Sequence, residues 1–247
     1  MTVPAEAAAA EGSIPSQSLT ARIYGVVRRP SATFAELLAR PRFAGVLALT
    51  TVAAALAGAL LMRTEVGRQA LVDQWERTAV AFGRPLDAAQ YARLEEMSAS
   101  APEYAIAGAV LSGPVVALGL AALIFVGFNR RTGQRRSFHQ ILAITAHAGV
   151  ILALRQIIAA PLGYVRETTA SATAVGVWFP MFDEASPVAR LLGLIDVFVV
   201  WWAVVLGVGV AVLFGQSARV VAIRFVGVYA GLAMLLAVVM AIVGEPY

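Results

Sequence analysis

The chain has 247 residues, of which 60% are hydrophobic and only 14% are charged, with a formal net charge of +4. Globular domains are nearer half apolar and a quarter charged, so this composition predicts an integral membrane protein. The chain has no cysteine, which excludes disulfides, thiolate metal sites and cysteine nucleophiles. All 19 basic residues are arginine, and together with the richness in Ala, Val, Gly and Leu this favours a bacterial source with a GC-rich genome.

The N-terminal region is polar and then amphipathic. Residues 1–18 contain Ala, Ser, Pro and Glu without periodicity, and we expect a disordered tail rather than a signal peptide. Residues 19–42 have the apolar spacing of two short amphipathic helices, separated at Pro30 and closed by Pro41. Helices of this kind beside a membrane span usually lie in the cytosolic interface. A packed cytosolic lid is the alternative interpretation.

Five apolar segments are long enough to cross a bilayer, which needs roughly 20 residues. They cover about residues 43–62, 104–128, 138–162, 191–214 and 220–243. Residues 19–247 are therefore interpreted as one membrane domain. The polar connection after the first span has the pattern of two helices, Gly67–Phe82 and Asp87–Met97. The predicted fold is an all-α integral membrane protein with five transmembrane helices, N-terminal amphipathic helices and an extracytoplasmic helical hairpin between spans one and two.

The charge of the connecting segments alternates along the chain. Residues 1–42 have five arginines and three acidic residues, whereas residues 63–103 have five arginines and seven acidic residues. Residues 129–137 then have four arginines and no acid, and residues 164–187 have one arginine and three acids. By the positive-inside rule the N-terminus and the arginine-rich loop are cytoplasmic, and five spans put the C-terminus outside. This predicts a multi-pass protein of the bacterial inner membrane.

Three stretches in this order resemble the Yip1 domain as it occurs in bacterial proteins. They are VVRRPSATFAELLARPRF before the first span, RRSFHQILAITAHAG at the third, and DVFVVWWAVVLGVGVAVLFGQSARVVAI across the fourth and fifth. The similarity covers nearly the whole chain from about Leu19. It implies a five-span α-helical membrane protein with a cytosolic N-terminus and no established catalytic activity.

The functional content of that resemblance is limited. Eukaryotic members are membrane-trafficking proteins that associate with small GTPases and with one another, and bacteria lack that traffic. Some bacterial relatives occur alongside export machinery. This chain departs from the family pattern at Ala146–Gly149, where relatives more often have an aromatic residue, and Arg155 is not a family residue.

One acidic and one basic residue lie at matching depth in the predicted spans. Asp196 is about eight residues from the outer end of span four, and Arg155 is about seven from the outer end of span three, or roughly 10–12 Å below the surface. Charges inside a span are costly and mark a site that another group must compensate. We expect an interhelical, bidentate ion pair. It either fixes helix register or serves transport or gating, unless Arg155 extends to the outer surface instead.

Small residues recur at four-residue intervals on the last two spans, which suits close helix packing or a dimer seam. The packing candidates are Gly207, Ala211, Gly227 and Gly231. The short turn between these spans favours packing within one chain. In span three, His147 is expected to bond a carbonyl or a hydroxyl across helices, and His139 is expected at the interface.

Seven arginines near the membrane boundaries are candidates for contact with anionic lipid headgroups or an acidic partner. They are Arg22, Arg28, Arg29, Arg130, Arg131, Arg135 and Arg136. A topology signal alone would produce the same distribution. Because the arginines flank apolar spans, we expect the lipid bilayer as their environment and no nucleic-acid partner.

The sequence has no HExxH, GxSxG or phosphate-loop motif and no second acid within the spans. We therefore expect no enzymatic activity, no metal and no cofactor. The leading interpretation is an inner-membrane scaffold or accessory protein that acts through membrane-protein partners or self-association, in the setting of export or membrane organisation. One alternative is a small transporter or channel that uses the Arg155/Asp196 region. A second alternative is a lipid-binding or lipid-handling protein.

Overall fold

The computed structural model describes residues 18–168, 171–182 and 186–243. The predicted tail, apart from Ser18, lies outside these residues. Over the described ranges the chain forms α-helices, one 3₁₀ turn at Val175–Trp178 and no β-strand. The helices are α1 (Leu19–Arg28), α2 (Pro30–Ala39), α3 (Ala44–Met62), α4 (Glu65–Ala81), α5 (Ala88–Ser98), α6 (Ala101–Thr132), α7 (Phe138–Ala148), α8 (Val150–Val165), α9 (Pro187–Leu194), α10 (Val197–Phe214) and α11 (Ala218–Val243).

Five helical segments are long and apolar enough to cross a membrane. They are α3, α6, α7 with α8, α10 and α11. This confirms the predicted all-α membrane protein with five spans. The largest difference concerns the fourth span, which was predicted as one helix over 191–214. In the structure α9 and α10 are separate helices, and the long apolar segment begins only at Val197.

The connection between spans one and two is helical over the predicted stretches. Thr64 caps α4 by accepting a hydrogen bond from the Gly67 amide at 2.9 Å. Asp87 and Gln90 form a capping box at the start of α5. The two helices are joined by a hydrogen bond from Gln69 Nε2 to the Tyr91 hydroxyl at 2.9 Å.

The helices α1 and α2 form a tight pair. Ser18 caps α1 by accepting a hydrogen bond from the Ala21 amide at 3.2 Å, and Pro30 occupies the first turn of α2, where its missing N–H costs nothing. The helices meet at Gly25, where an added Cβ would lie 2.3 Å from Thr33 Oγ1. A side chain at position 25 would therefore separate α1 from α2.

This helix pair packs onto one end of the bundle. Phe34 and Val26 are fully buried, and Leu37 is nearly so. Phe34 lies over Gly209 of α10, where a Cβ would come within 3.1 Å of its ring and 2.5 Å of Ile144. Burying a side chain of this size stabilises a fold by about 1.5–3 kcal/mol. The helix pair is thus held against the bundle by the buried side chains of Val26, Phe34 and Leu37.

Two of the spans form the centre of the bundle. In the spanning window of α7 and α8, 61% of the residues are buried, and in α10 the share is 56%. The corresponding shares are 28% in α3, 17% in α6 and 11% in α11. These three outer helices present large apolar side chains outward, including Leu60, Leu123 and Leu232. Outward leucines of this kind suit contact with lipid.

The small-residue faces differ from the prediction. Gly207 and the buried Ala211 belong to the core of α10, and a Cβ on Gly207 would lie 2.6 Å from the Ala222 Cα of α11. By contrast, a Cβ on Gly227 or Gly231 would meet nothing within 4 Å. The prediction that these two glycines pack against span four is therefore wrong. Close approach of the helices depends on Gly207.

Gly207→Ala should destabilise the protein by about 1–3 kcal/mol, because its methyl group would collide with backbone and force α10 and α11 apart. Gly231→Ala is the matched control, since it adds the same methyl group in open space. The control should be neutral or stabilising by up to about 1 kcal/mol through helix propensity. Reversible unfolding in a detergent–SDS titration measures both. Equal losses in the two variants would contradict the proposed close contact.

Candidate functional site

The fourth span is interrupted just before α10. Ile195 and Asp196 are extended, with φ/ψ of −90°/111° and −108°/129°. The Val175 amide donates to the Ile195 carbonyl at 2.7 Å, and the Val197 amide donates to the Thr173 carbonyl at 3.2 Å. Non-helical backbone at membrane depth is tolerated only where such internal partners exist. The loop before α9 therefore makes the interruption possible.

Asp196 occupies the N-cap position of α10. Its Oδ1 accepts hydrogen bonds from the amides of Phe198 at 2.9 Å and Val199 at 3.3 Å. These amides have no partner within the helix, and aspartate is a preferred residue for satisfying them. The predicted position of Asp196 inside a continuous helix is therefore wrong. Its carboxylate starts the helix instead of interrupting it.

The other carboxylate oxygen joins three further groups. Asp196 Oδ2 accepts from Arg155 Nε at 2.7 Å, from Thr173 Oγ1 at 2.6 Å and from Ser171 Oγ. The residue is only 4% exposed. An ionised carboxylate offers about four lone-pair positions, and five donors converge on this one. Its accepting capacity is thus used entirely by the protein.

The structure brings Arg155 and Asp196 together, but not with the predicted bidentate geometry. Arg155 Nε reaches the carboxylate, whereas its Nη2 donates to Ser171 Oγ at 2.9 Å. The guanidinium thus divides its donors between the acid and a loop hydroxyl that itself bonds the same acid. This arrangement links α8, the loop and the start of α10.

The electrostatics keep Asp196 ionised. Asp196 accepts hydrogen bonds from Ser171, Thr173 and Arg155 and lies beside the positive charge of Arg155, and contacts of this kind favour the ionised form of a carboxyl group. The carboxylate is therefore the form that this site stabilises at neutral pH. A group held in this way is poorly suited to cycling protons.

Tyr229 of α11 completes the site. Its hydroxyl donates to the Leu194 carbonyl at 2.6 Å and accepts from the Asp196 amide at 3.0 Å. It thereby satisfies the last carbonyl of α9 and the free amide at the break. Sequence reasoning missed Tyr229, Ser171 and Thr173, because nothing in the spacing of these residues points to Asp196. The sequence does show a polar residue within an apolar run on the fifth span.

A half-open cavity of about 280 Å³ lies next to Arg155, between α3, α6 and α8. Its polar lining consists of Thr50, Thr51, Ser112, Thr145, Arg155 and Gln156. Asp196 is not among the lining residues. The cavity thus reaches the cationic partner of the pair but not the acid.

A second polar contact joins α1 to span three. His147 is fully buried, and its Nδ1 lies 2.8 Å from the Ala143 carbonyl, one turn back on its own helix. Nδ1 must therefore carry the proton, which leaves Nε2 to accept from Arg22 Nη1 at 3.4 Å. The prediction of a carbonyl or hydroxyl partner across helices is wrong, since the partner across helices is an arginine.

Arg22, which was predicted as a contact for headgroups or a partner, makes polar contacts within the protein. Its Nη1 donates to the Arg42 carbonyl at 3.3 Å as well as facing His147. Burial and the neighbouring charge of Arg42 lower the pKa of its guanidinium. Arg28 and Arg29, at the corner between α1 and α2, are exposed. His139 lies at the start of α7, where its Nε2 is 3.1 Å from the Pro41 carbonyl.

The arginine-rich loop between α6 and α7 has a defined conformation. The Asn129 side chain donates to the Arg136 carbonyl at 3.2 Å and accepts from its amide at 3.0 Å. Gly133 has φ of 68°, the left-handed conformation that ends α6. A capping box formed by Ser137 and Gln140 opens α7. The last turn of α6 exposes Arg130 and Arg131, and the loop exposes Arg135 and Arg136.

In the described part of the chain, no three His, Cys, Asp or Glu side chains are grouped so that they could hold a metal ion. The family model of the Yip1 domain matches residues 24–241 of the chain. No curated protein and no solved structure matches the chain.

The coupling between Arg155 and Asp196 can be measured by a double-mutant cycle. Arg155→Gln and Asp196→Asn should each cost at least about 2 kcal/mol, because each leaves buried donors or acceptors without partners. The double variant should lose less than the sum, by about 1–3 kcal/mol. The readout is the free energy of unfolding in detergent.

The control is the Arg68–Glu65 pair of α4, in which the Glu65 side chain is 85% exposed. The cycle of Arg68→Gln and Glu65→Gln should give a coupling of about 0–1 kcal/mol, as exposed pairs usually do. Coupling at Arg155–Asp196 no larger than at this surface pair would contradict the network described above.

Proposed function

We propose that this chain, which belongs to the Yip1 domain family, is a non-enzymatic membrane scaffold or accessory protein that acts through protein partners. Its contact surface is the basic end, defined as the exposed arginines at the α1–α2 corner, in the last turn of α6 and in the loop that follows it. These residues are Arg28, Arg29, Arg130, Arg131, Arg135 and Arg136. The bilayer is the environment of the five apolar helices.

One contrast supports this proposal. The Asp196 carboxylate has all its hydrogen-bonding positions filled by protein groups, whereas the arginines of the basic end are exposed. A transport cycle needs a carboxylate that can release and rebind its ligand, whereas the Asp196 oxygens are occupied by protein donors. The basic end instead presents guanidinium groups on packed elements. The guanidinium group of arginine can form two parallel hydrogen bonds with a carboxylate. An acidic segment of a partner protein is therefore the ligand that this surface fits.

The packing of α1 and α2 supports the same function. Phe34 anchors this pair in the bundle, and Gln140 Nε2 of α7 donates to the Leu38 carbonyl at 3.4 Å. A surface held in this way needs little ordering when a partner binds, which lowers the entropic cost of association. We place the basic end on the cytoplasmic side of a bacterial inner membrane, with the C-terminus outside. Export or membrane-organisation machinery is the proposed setting.

Site-specific photo-crosslinking in native membranes tests the contact surface. A benzophenone amino acid at Tyr24, which is 60% exposed beside Arg28, should give adducts of discrete mass with a partner protein. Arg28→Glu with Arg29→Glu should remove these adducts by reversing the charge. Arg84→Glu with Arg93→Glu, on the connection between spans one and two, is the matched control and should leave them unchanged. Adducts that are missing, or equally sensitive to both reversals, would refute the proposal.

Cysteine labelling tests the proposed orientation directly, because the chain has no native cysteine. In intact cells with a permeable outer barrier, a membrane-impermeant maleimide should label Glu96→Cys and should not label Arg135→Cys. Both positions are exposed. Arg135→Cys should become reactive only after the membrane is opened. Leu123→Cys, on an outward apolar face, should stay unlabelled throughout. The reverse pattern for the first two positions would invert the topology.

A second candidate, a small transporter or channel, is favoured by one observation. The half-open cavity of about 280 Å³ reaches Arg155, a cation that a small anion could approach. Proton and chloride flux in proteoliposomes separates the candidates. Flux above that of empty liposomes, abolished by Arg155→Gln in a folded protein, would favour transport. Flux equal to that of empty liposomes would remove this candidate.

A further inference from the structure

A long groove runs along the outside of the bundle between α6 and α11. It has a volume of about 800 Å³ and is lined by these two helices and by Trp202 and Ala203 of α10. Cavities that bind small ligands commonly have volumes of about 300–1,000 Å³. Most of the lining is aliphatic or aromatic, including Leu123, Ile124 and Val228. The groove is therefore large enough for a ligand and suited to an apolar one.

The charged side chains of the groove lie at one end. Arg131 and Arg224 line it there, and no acidic residue lines it. Both arginines are exposed. In the described part of the chain, neither side chain makes a hydrogen bond or an ion pair with a protein group. The groove thus joins an apolar surface to two unneutralised guanidinium groups.

Arg224 is costly where it lies. It is six residues into α11, or about 9 Å along the helix axis from Ala218 at 1.5 Å per residue. A cation at that depth in a span is unfavourable unless an anion or water compensates it. Arg155 meets this requirement with Asp196. For Arg224 the compensating group must come from outside the protein.

Aromatic packing holds the two arginines at the same end. Phe128 of α6 stacks on Phe225 of α11 with ring centroids 6.2 Å apart, and it contacts Phe214 of α10 at 5.3 Å. Arg131 follows Phe128 by almost one turn, and Arg224 adjoins Phe225. The charged end of the groove is therefore fixed by three packed helices and does not depend on flexible loops.

The length of the groove corresponds to one leaflet. On α6 its lining runs from Arg131 to Leu120, which is about 16 Å at 1.5 Å per residue. The hydrocarbon core of a bilayer is about 30 Å thick, so one leaflet contributes about 15 Å. An acyl chain lying along the groove would thus span its apolar part while its headgroup reached the arginines.

We propose that this groove binds one anionic phospholipid, with its phosphate at Arg131 and Arg224 and an acyl chain along α6 and α11. Guanidinium groups bind phosphate through paired N–H donors, and basic pockets between transmembrane helices are suited to anionic headgroups. Arg131 belongs both to this groove and to the basic end, but the protein-partner function rests on all six arginines of the basic end and does not require a lipid in the groove.

Native mass spectrometry of the full-length protein, titrated in detergent with phosphatidylglycerol or phosphatidylcholine, tests the headgroup. The first bound phosphatidylglycerol should be retained more strongly than phosphatidylcholine. Arg131→Ala and Arg224→Ala should each weaken its retention about fivefold. Arg130→Ala and Arg219→Ala are the controls, because each removes one positive charge at a residue that does not line the groove. Arg130 is next to Arg131, and Arg219 lies on the same helix as Arg224. Both controls should leave retention unchanged. Equal losses in all four variants would show only generic attraction and overturn the site.

The proposed position of the acyl chain is tested by a matched pair of variants. Gly227 lines the groove and Gly231 does not, and a Cβ at either position meets nothing within 4 Å. Both should therefore accept leucine without disturbing the fold, which thermal unfolding checks. Gly227→Leu should reduce phosphatidylglycerol retention several-fold by filling the groove, and Gly231→Leu should not. If Gly227→Leu retains the lipid like wild type, or phosphatidylcholine binds as tightly, the proposal is wrong.

Discussion

The hydrogen-bonded carboxylate of Asp196 is the group on which one end of the bundle depends. One group caps α10, pairs with Arg155 of α8 and accepts hydroxyl groups from the loop before α9. Tyr229 adds α11 through the backbone at the same residue. In a low-dielectric environment, a buried donor left without its acceptor costs more than a formed hydrogen bond contributes to stability. Loss of one partner therefore disturbs four chain segments together.

The rest of α10 is constrained in an equally specific way. Near its middle, Gly207 allows the backbone of Ala222 to come close, and Gly209 makes room for Ile144 and Phe34. A shift of α10 along its axis would bring each glycine opposite a different neighbour and would pull Asp196 from its donors. The hydrogen bonds of Asp196 and the contacts of the two glycines thus fix the same position of α10 along its axis. We interpret α10 as a rigid centre and the paired α1–α2 as a packed extension of it.

Features of the fold that depend on residues close together in the chain could be predicted from the sequence. The five apolar runs and the helix pair before span one depend on length, caps and prolines, all of which are visible in sequence. The break at Asp196 is different, because Leu191–Phe214 is apolar enough to resemble one helix. An aspartate directly before an uninterrupted apolar run is also an N-cap signal. Choosing between the two required Thr173 and Ser171, whose distance from Asp196 in the chain hides the contact.

The glycine pattern shows the same limit in geometric terms. Gly207, Gly227 and Gly231 all belong to four-residue repeats of small residues, and such repeats do not specify which way a helix faces. On α11 the contact residue is Ala222. At 100° per residue, Gly227 and Gly231 are rotated about 140° and 180° away from it. Rotation about the axis is decided by the neighbouring helices, so it has to be observed.

The arginines of the spans illustrate one energetic rule with two outcomes. A guanidinium near the hydrocarbon region needs a compensating group, and the central helices supply it internally, as Asp196 does for Arg155. The outer helix α11 has few buried residues in its span, so Arg224 has no comparable neighbours. An arginine in the rigid centre is therefore neutralised by the protein itself, whereas an arginine on the outer helices is available to bind a ligand. By this reasoning, substitutions that weaken the centre should act through stability, whereas those on α6 and α11 should act through what the protein binds.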